Sequence, residues 1–188
     1  RYPLLMGRPG RERMSASTAI VIVGLHSSGK TTLARRISHE SGRMVLEMGD
    51  VVRAEAARRH ARNLVELAHS LLEAGPRFIV ERTLEKAADA GNRGLIIVGP
   101  RTEPELIHLQ SSLDCLTVGI STPDSIRSSR WRHRRLSFSD TWEDRERREQ
   151  SWGTRELIGL CDVVVSGYDW AGYAADQVLA MSDPSHEP

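Results

Sequence analysis

The chemistry of this chain concentrates in the stretch "VIVGLHSSGKTT", residues 21–32, which fits the pattern G-x-x-x-x-G-K-[ST]. Gly24 and Gly29 permit backbone conformations that a side chain would block, so successive N–H groups can surround a phosphate. The ammonium group of Lys30 would reach the β and γ oxygens of a triphosphate, and the Thr31 hydroxyl would bind Mg²⁺. The stretch therefore predicts a binding site for ATP and Mg²⁺.

The flanks of this loop favour the same interpretation over an accidental Gly/Ser loop. An apolar β-branched run precedes it, and an amphipathic helix with Leu33, Ala34 and Ile37 follows it. We expect His26 to contribute its backbone rather than to act as a base. The predicted nucleotide-binding residues of the loop are Gly24, His26, Ser27, Ser28, Gly29, Lys30, Thr31 and Thr32, with Lys30 also catalytic.

Apolar runs and helical segments alternate along the chain, which is typical of a parallel sheet covered on both faces. The predicted strands are 19–25, 43–48, 94–99, 115–120 and 161–167. The predicted helices are 30–40, 51–73, 76–90, 103–112, 123–135, 142–160 and 171–181. The pattern predicts a three-layer α/β domain with the loop between the first strand and first helix, where a helix amino terminus favours anions.

Length and charge restrict the remaining possibilities. The 188 residues suit one domain, expected over 18–182, with a flexible leader at 1–17 and a loose tail at 183–188. The formal net charge of +1 provides no overall field for nucleic acid or a membrane surface. No apolar stretch approaches the ~18 to 20 residues of a membrane span. We therefore expect a cytoplasmic protein whose partner is a small molecule; its oligomeric state is left open.

Three further stretches resemble known kinases. "MGDVVRAEA" (48–56) resembles the Gly-Asp-x-x-Arg segment of adenylate-kinase-like nucleoside monophosphate kinases, and "VGPRTEPEL" (98–106) resembles their Gly-x-Arg-x-x-x-Glu turn. "DRERREQSWGTRELIGLCDVVVSG" (144–167) is similar to an uncharacterised archaeal family of dephospho-CoA-kinase-like P-loop proteins. The resemblance implies a P-loop NTPase fold with strand order 2-3-1-4-5 and a helical lid. It also implies transfer of the γ-phosphoryl group of ATP to a nucleoside monophosphate or dephospho-CoA type of acceptor.

The acceptor is expected to lie against residues 50–90. Arg53 and Arg101 follow strand ends, and a planar guanidinium can bind a phosphate through two hydrogen bonds. By resemblance, Asp50 orients or deprotonates an acceptor hydroxyl; for a phosphate acceptor no base is needed, and Asp50 would position groups near Mg²⁺. Asp50 could also serve as the N-cap of the following helix.

The arginine-rich stretches "RSSRWRHRR" (127–135) and "EDRERRE" (143–149) admit three interpretations. In a kinase they form a lid, about 130–150, in which Arg134 and Arg145 are the preferred catalytic pair that neutralises charge on the transferred group. In a nucleic-acid-binding protein, Trp131 and the arginines would bind a strand. In the third interpretation the charges form a solvated helix with i,i+4 pairs.

Two further features concern the nucleotide. By analogy with related kinases, the backbone of Ser166 and Gly167 after the last strand would lie beside the adenine. One residue departs from the family: Val98 stands where relatives commonly have an Asp that supports Mg²⁺ through water. A catalytically weak, nucleotide-binding regulatory NTPase therefore stays an alternative, although the chain has no Asn-Lys-x-Asp element that would read guanine. A polynucleotide kinase is the other alternative.

Overall fold

The computed structural model describes residues 18–75, 77–88, 94–133, 141–168 and 171–182. Their strands form one parallel sheet in the order β2-β3-β1-β4-β5. The strands are β1 (Ala19–Val23), β2 (Met44–Glu47), β3 (Leu95–Val98), β4 (Cys115–Ser121) and β5 (Val163–Ser166). All five predicted strands and the order 2-3-1-4-5 are confirmed. The leader 1–17, the tail 183–188 and Arg134 lie outside the described residues.

Helices cover both faces of the sheet. They are α1 (Lys30–Ser41), α2 (Met48–Arg58), α3 (Leu64–Ala74), α4 (Arg77–Ala88), α5 (Glu103–Ser112), α6 (Asp124–His133), α7 (Trp142–Ser151), α8 (Thr154–Leu160) and α9 (Ala171–Ser182). On one face Ile37 of α1 and Val178 of α9 pack in a core with Ile22. On the other, Leu71 of α3 and Leu157 of α8 pack in a second core. The predicted three-layer α/β P-loop fold is thereby confirmed.

The strand register brings the functional segments to one edge of the sheet. Ile22 in β1 pairs with Val98 in β3, and Val98 pairs in turn with Glu47 at the end of β2. Because parallel strands all point the same way, the segments after β1, β2 and β3 leave the sheet at the same edge. The phosphate loop, the start of α2 and the turn before α5 are consequently neighbours.

Two long predicted helices are wrong because each is two helices. The predicted helix 51–73 divides into α2 and α3, and the Asn63 side chain caps α3 by accepting from the N–H groups of Val65 and Glu66. The predicted helix 142–160 divides into α7 and α8 at Gly153, whose φ of 71° is left-handed. Each break redirects the chain, so that α3 borders the side predicted for the acceptor and α7 reaches the phosphate loop.

None of the helices within the described ranges is both long enough and apolar enough to cross a bilayer.

Candidate active site

The phosphate loop, residues 24–29, joins β1 to α1 and carries two left-handed residues. Ser27 has a φ of 57° and Gly29, at the start of α1, has a φ of 106°. A turn forms where the Ser28 N–H donates to the Leu25 carbonyl at 3.2 Å, and the helix begins where the Leu33 N–H donates to the Gly29 carbonyl. These turns curve the backbone tightly, as an anion-binding nest requires.

The loop contains buried hydroxyls that suit a ligand site. Ser28 is fully buried and Ser27 nearly so. Within the described ranges, neither side-chain oxygen has a hydrogen-bond partner. A buried hydroxyl is normally satisfied, so these two residues fit a loop that completes its hydrogen bonding through a bound nucleotide.

Lys30 is folded back onto the loop. Its Nζ donates to the carbonyls of Gly24 and Leu25 at 2.7 Å each. Burial first, and then the positive charges of Arg101 and Arg145, lower the pKa of Lys30 from 10.5 to about 7 against the opposing charge of Glu149. An anionic phosphate beside this amine would raise its pKa again.

His26 is held by helices α6 and α7 rather than by the loop itself. The side chain is 4% exposed, with ring centroids 5.4 Å from Trp131 of α6 and 4.4 Å from Trp142 of α7. Its backbone N–H donates to Glu149 Oε2 at 2.7 Å, and its Nδ1 lies 3.1 Å from the same oxygen. Of the predicted lid, Trp131 of α6 and helix α7 therefore contact the phosphate loop directly.

Glu149 is a site residue that the sequence reasoning missed. The side chain is 1% exposed and accepts a hydrogen bond from Arg101 in addition to those from His26. Burial alone would raise the pKa of Glu149, but the His26 hydrogen bonds and the charges of Arg101 and Lys30 together hold it below its ordinary value. The carboxylate is therefore ionised and bound between the loop and the acceptor side.

Arg127 is the second missed residue; the sequence reasoning included it only as part of a run. It is fully buried, donates to both oxygens of Glu146 at 2.7 and 2.8 Å, and donates to Asp124 at 2.8 Å. A further bond of 3.2 Å reaches the His26 carbonyl. Arg127 thus joins α6, α7 and the phosphate loop.

The cluster of His26, Glu146 and Glu149 has the residue types of a metal site, with ligand atoms within 4.8 Å of one another. Both carboxylates are already paired with guanidiniums, Glu146 with Arg127 and Glu149 with Arg101. A cation placed there would face those two positive charges at close range. We therefore assign the cluster to an ion-pair network.

The segment after β5 lies against the phosphate loop. Arg130 donates to the carbonyls of Ser28 at 3.2 Å and Gly167 at 2.7 Å. A side chain at position 167 would come within 2.5 Å of the Ser28 carbonyl, so only glycine permits this approach. Ser166 faces its own turn and accepts from the Tyr168 N–H at 3.2 Å. The structure thus brings Gly167 to the loop.

A cavity of about 500 Å³ opens between α2, α3 and α7, with Gly99 and Arg101 after β3 in its wall. Five arginines line it above an apolar floor: Arg53, Arg62, Arg101, Arg145 and Arg148. The floor includes Met48, Val52, Leu64, Val65, Ala68, Leu72 and Ile79. The arrangement suits an acceptor with an anionic group and an apolar or planar body.

Asp50 lies beside this cavity without lining it. Its Oδ1 accepts from Arg53 Nε at 3.1 Å, and both side chains are more than half exposed. The alternative that Asp50 caps the helix is wrong, because α2 begins at Met48 and Glu47 occupies the cap position. Asp50 therefore holds Arg53 from the first turn of α2.

The turn that carries Arg101 is fixed from within the domain. Glu105 Oε2 accepts from the backbone N–H groups of Arg101 at 2.8 Å and Thr102 at 3.0 Å, and Thr154 Oγ1 donates to the Arg101 carbonyl at 2.8 Å. Burial raises the pKa of Glu105 despite these hydrogen bonds. The glutamate of the Gly-x-Arg-x-x-x-Glu pattern thus positions the arginine backbone.

Solved structures resemble this fold. Shikimate kinase from Bacteroides thetaiotaomicron gives a TM-score of 0.62 at 16% identity, covering 87% of this chain and 96% of that one. Shikimate kinase from Aquifex aeolicus gives 0.59 at 17% identity, covering 87% and 95%. These likenesses show a kinase-like P-loop fold.

Sequence comparisons identify the family. A family model described as an AAA domain matches residues 23–115. The UPF0200/UPF0201 protein of Archaeoglobus fulgidus is 33% identical over 78% of this chain, which spans about half (49%) of that protein's length. UPF0200 proteins of Aeropyrum pernix and Methanosarcina barkeri are 30% and 31% identical over 78% of this chain, and 82% and 84% of their own lengths are covered. The chain therefore belongs to the UPF0200 family, which confirms the resemblance to archaeal P-loop proteins.

Proposed function

We propose that this protein is an ATP-dependent phosphotransferase that moves the γ-phosphoryl group of Mg·ATP to a nucleotide or nucleotide-like acceptor. The observation that carries the proposal is the cavity of about 500 Å³ in which five arginines face an apolar floor. Its Arg101 is connected to the phosphate loop through Glu149 and His26. The kinase-like P-loop fold supports nucleotide binding at that loop. An acceptor such as a nucleoside monophosphate or dephospho-CoA has the anionic group and the body that this cavity suits.

The proposed roles follow from charge. The loop N–H groups and Lys30 would bind the triphosphate, and Arg53 and Arg101 would orient the acceptor anion. Arg145 lines the same cavity and is close enough to lower the pKa of Lys30, so its charge would act on the transferred group. When the acceptor is a phosphate, its oxygen attacks the γ-phosphorus in line and ADP leaves, without a general base. Asp50 would then act by holding Arg53.

Magnesium would be held by the Thr31 hydroxyl, at the start of α1, together with the phosphates. The bound ion would neutralise charge on the β and γ oxygens. Val98 offers no ligand, and the carboxylate of its register partner Glu47 lies 3.7 Å from the Arg53 guanidinium.

The decisive experiment is an ADP-release assay over nucleoside monophosphates, nucleosides and dephospho-CoA, with an acceptor-free control. Lys30→Ala should abolish transfer while the cooperative unfolding transition persists. Arg53→Ala should raise the acceptor KM about tenfold or more while the ATP KM changes little, since a guanidinium–phosphate contact is lost. Arg58→Ala is the matched control, because Arg58 lies on the same helix and pairs with Glu55 instead.

Two alternatives have defined outcomes in these assays. Nucleotide binding with no transfer to any acceptor would favour the weakly catalytic regulatory NTPase, which the valine at position 98 supports. Binding of single-stranded DNA that weakens steeply with salt would favour a polynucleotide kinase. Against the latter, Trp131 is already engaged, with its ring against His26 and beneath the Arg145 guanidinium.

A further inference from the structure

The Glu149 carboxylate is an anion bound where substrate anions are expected. One oxygen accepts from the His26 N–H in the phosphate loop at 2.7 Å, and the other accepts from Arg101 on the acceptor side. The side chain is 1% exposed although it lies on a helix in which Glu143 is exposed. The carboxylate therefore lies between the two predicted substrate sites.

This carboxylate is surrounded by the kinds of group that bind a phosphoryl group. They are a loop N–H, a guanidinium and the nearby amino group of Lys30. In phosphate loops the lysine reaches the β and γ phosphates. Here Lys30 Nζ rests on the Gly24 and Leu25 carbonyls, immediately before His26 in the chain. The His26 N–H consequently belongs to the β/γ end of the loop, on the side facing Arg101.

We propose that in the nucleotide-free protein the Glu149 carboxylate occupies the place of the γ-phosphoryl group, so that a triphosphate binds only by displacing it. This inference rests on the proposed function, because it concerns the same nucleotide site. A diphosphate lacks the γ-phosphoryl group and leaves the carboxylate in place. Because the γ-phosphoryl group of ATP must replace the contacts of the carboxylate, it yields a smaller net gain in contacts than it would in a loop with no carboxylate bound.

The second oxygen of Glu149 links this displacement to the acceptor. An acceptor anion that binds Arg101 competes with Glu149 for the same guanidinium. Acceptor binding thereby removes one of the contacts that hold the carboxylate on the loop. The γ-phosphoryl group then enters most readily when the acceptor is present, which limits transfer to water.

The test compares the affinities for Mg·ADP and for Mg·AMP-PNP, a non-hydrolysable triphosphate, by isothermal titration. In the unaltered protein we expect the two dissociation constants to lie within about tenfold of each other. In Glu149→Gln, Mg·AMP-PNP should bind about tenfold more tightly than in the unaltered protein, whereas Mg·ADP should change by less than about twofold. Glu143→Gln removes the same charge from an exposed position on α7 and should change neither constant.

The outcomes separate this inference from the proposed function. Tighter AMP-PNP binding alone in Glu149→Gln supports the inference, even if no acceptor is ever phosphorylated. Equal effects on both nucleotides, or weaker AMP-PNP binding, would overturn the inference and leave the kinase proposal intact. If Glu149→Gln does not fold, an AMP-PNP affinity more than about tenfold above that for ADP in the unaltered protein overturns it, and one within about tenfold supports it. Failure of the unaltered protein and the variant to bind either nucleotide would refute both.

Discussion

Lys30 should take up a proton when a triphosphate binds. Because its pKa is about 7, about one tenth of the Lys30 amines are protonated at pH 8 in the nucleotide-free protein. The negative charges of a bound triphosphate should return the pKa toward 10.5 and protonate almost every amine. Binding at pH 8 is therefore expected to take up about 0.9 of a proton per site, and binding at pH 6 only about 0.1.

The uptake is measured by titrating Mg·AMP-PNP into the protein in buffers of different ionisation enthalpy, such as Tris and HEPES. The slope of the apparent binding enthalpy against the buffer ionisation enthalpy gives the number of protons. Lys30→Arg is the control, since a guanidinium stays protonated at pH 8 and its slope reports the nucleotide alone. A slope in the unaltered protein equal to that of Lys30→Arg would refute a neutral amine in the free site.

The same pKa has a consequence for stability. The unfolded chain protonates Lys30 up to about pH 10.5 and the folded protein only up to about 7, so between these values the unfolded state binds more protons. The free energy of unfolding therefore gains a contribution that rises with pH across that window. In urea denaturation Lys30→Met should have a higher free energy of unfolding than the unaltered protein. This difference should be largest near pH 7 and shrink toward pH 10.

Two further substitutions test how the loop is held. Arg127→Met should lower the free energy of unfolding by about 3 kcal/mol in urea denaturation, because it leaves the Glu146 carboxylate without its buried cation; a loss below about 1 kcal/mol would mean that water already solvates that carboxylate. Gly167→Ala should weaken Mg·AMP-PNP binding about tenfold, because the new methyl group would meet the Ser28 carbonyl at 2.5 Å and displace the loop. Gly159→Ala, whose methyl group meets nothing within 4 Å, should bind normally.

The strands were predictable from sequence because both faces of the sheet are covered. The five residues Ala19–Val23 are all buried, which requires an unbroken apolar run rather than an alternating one. The order of the strands came from family resemblance, since apolar runs alone do not specify which strands are neighbours. The phosphate loop could be located because its pattern fixes glycine and lysine at set positions after such a run.

The helix breaks were less predictable because each depends on one residue. Asn63 is a strong N-cap signal, yet it lies inside an amphipathic stretch where apolar periodicity continues on both sides. Gly153 precedes α8 as its N-cap, but a lone glycine inside a helical pattern is tolerated often enough that it does not by itself indicate a boundary. Capping should therefore be weighted above periodicity at such positions.

Glu149 and Arg127 could not be recognised from sequence because charge runs do not show which residue faces inward. The stretch "EDRERRE" contains acids and bases at every helical spacing, and i,i+4 pairing on a solvated helix explains it equally well. The burial of Glu149 depends on His26, which is 123 residues away in the chain. A residue whose role depends on so distant a partner becomes visible only when the tertiary structure is known.

The arginines of α6 and α7 divide into two groups with different roles. Arg127 donates to the His26 carbonyl, and Arg130 donates to the Ser28 carbonyl. Lys30 donates to the carbonyls of Gly24 and Leu25. Loop carbonyls tied in this way cannot turn into the nest, which leaves the His26 N–H, here bound to the Glu149 carboxylate, to face an anion. Arg145 and Arg148 instead line the cavity proposed for the acceptor. The arginine-rich stretch thus shapes the phosphate loop through its first helix and presents charge to that cavity through its second.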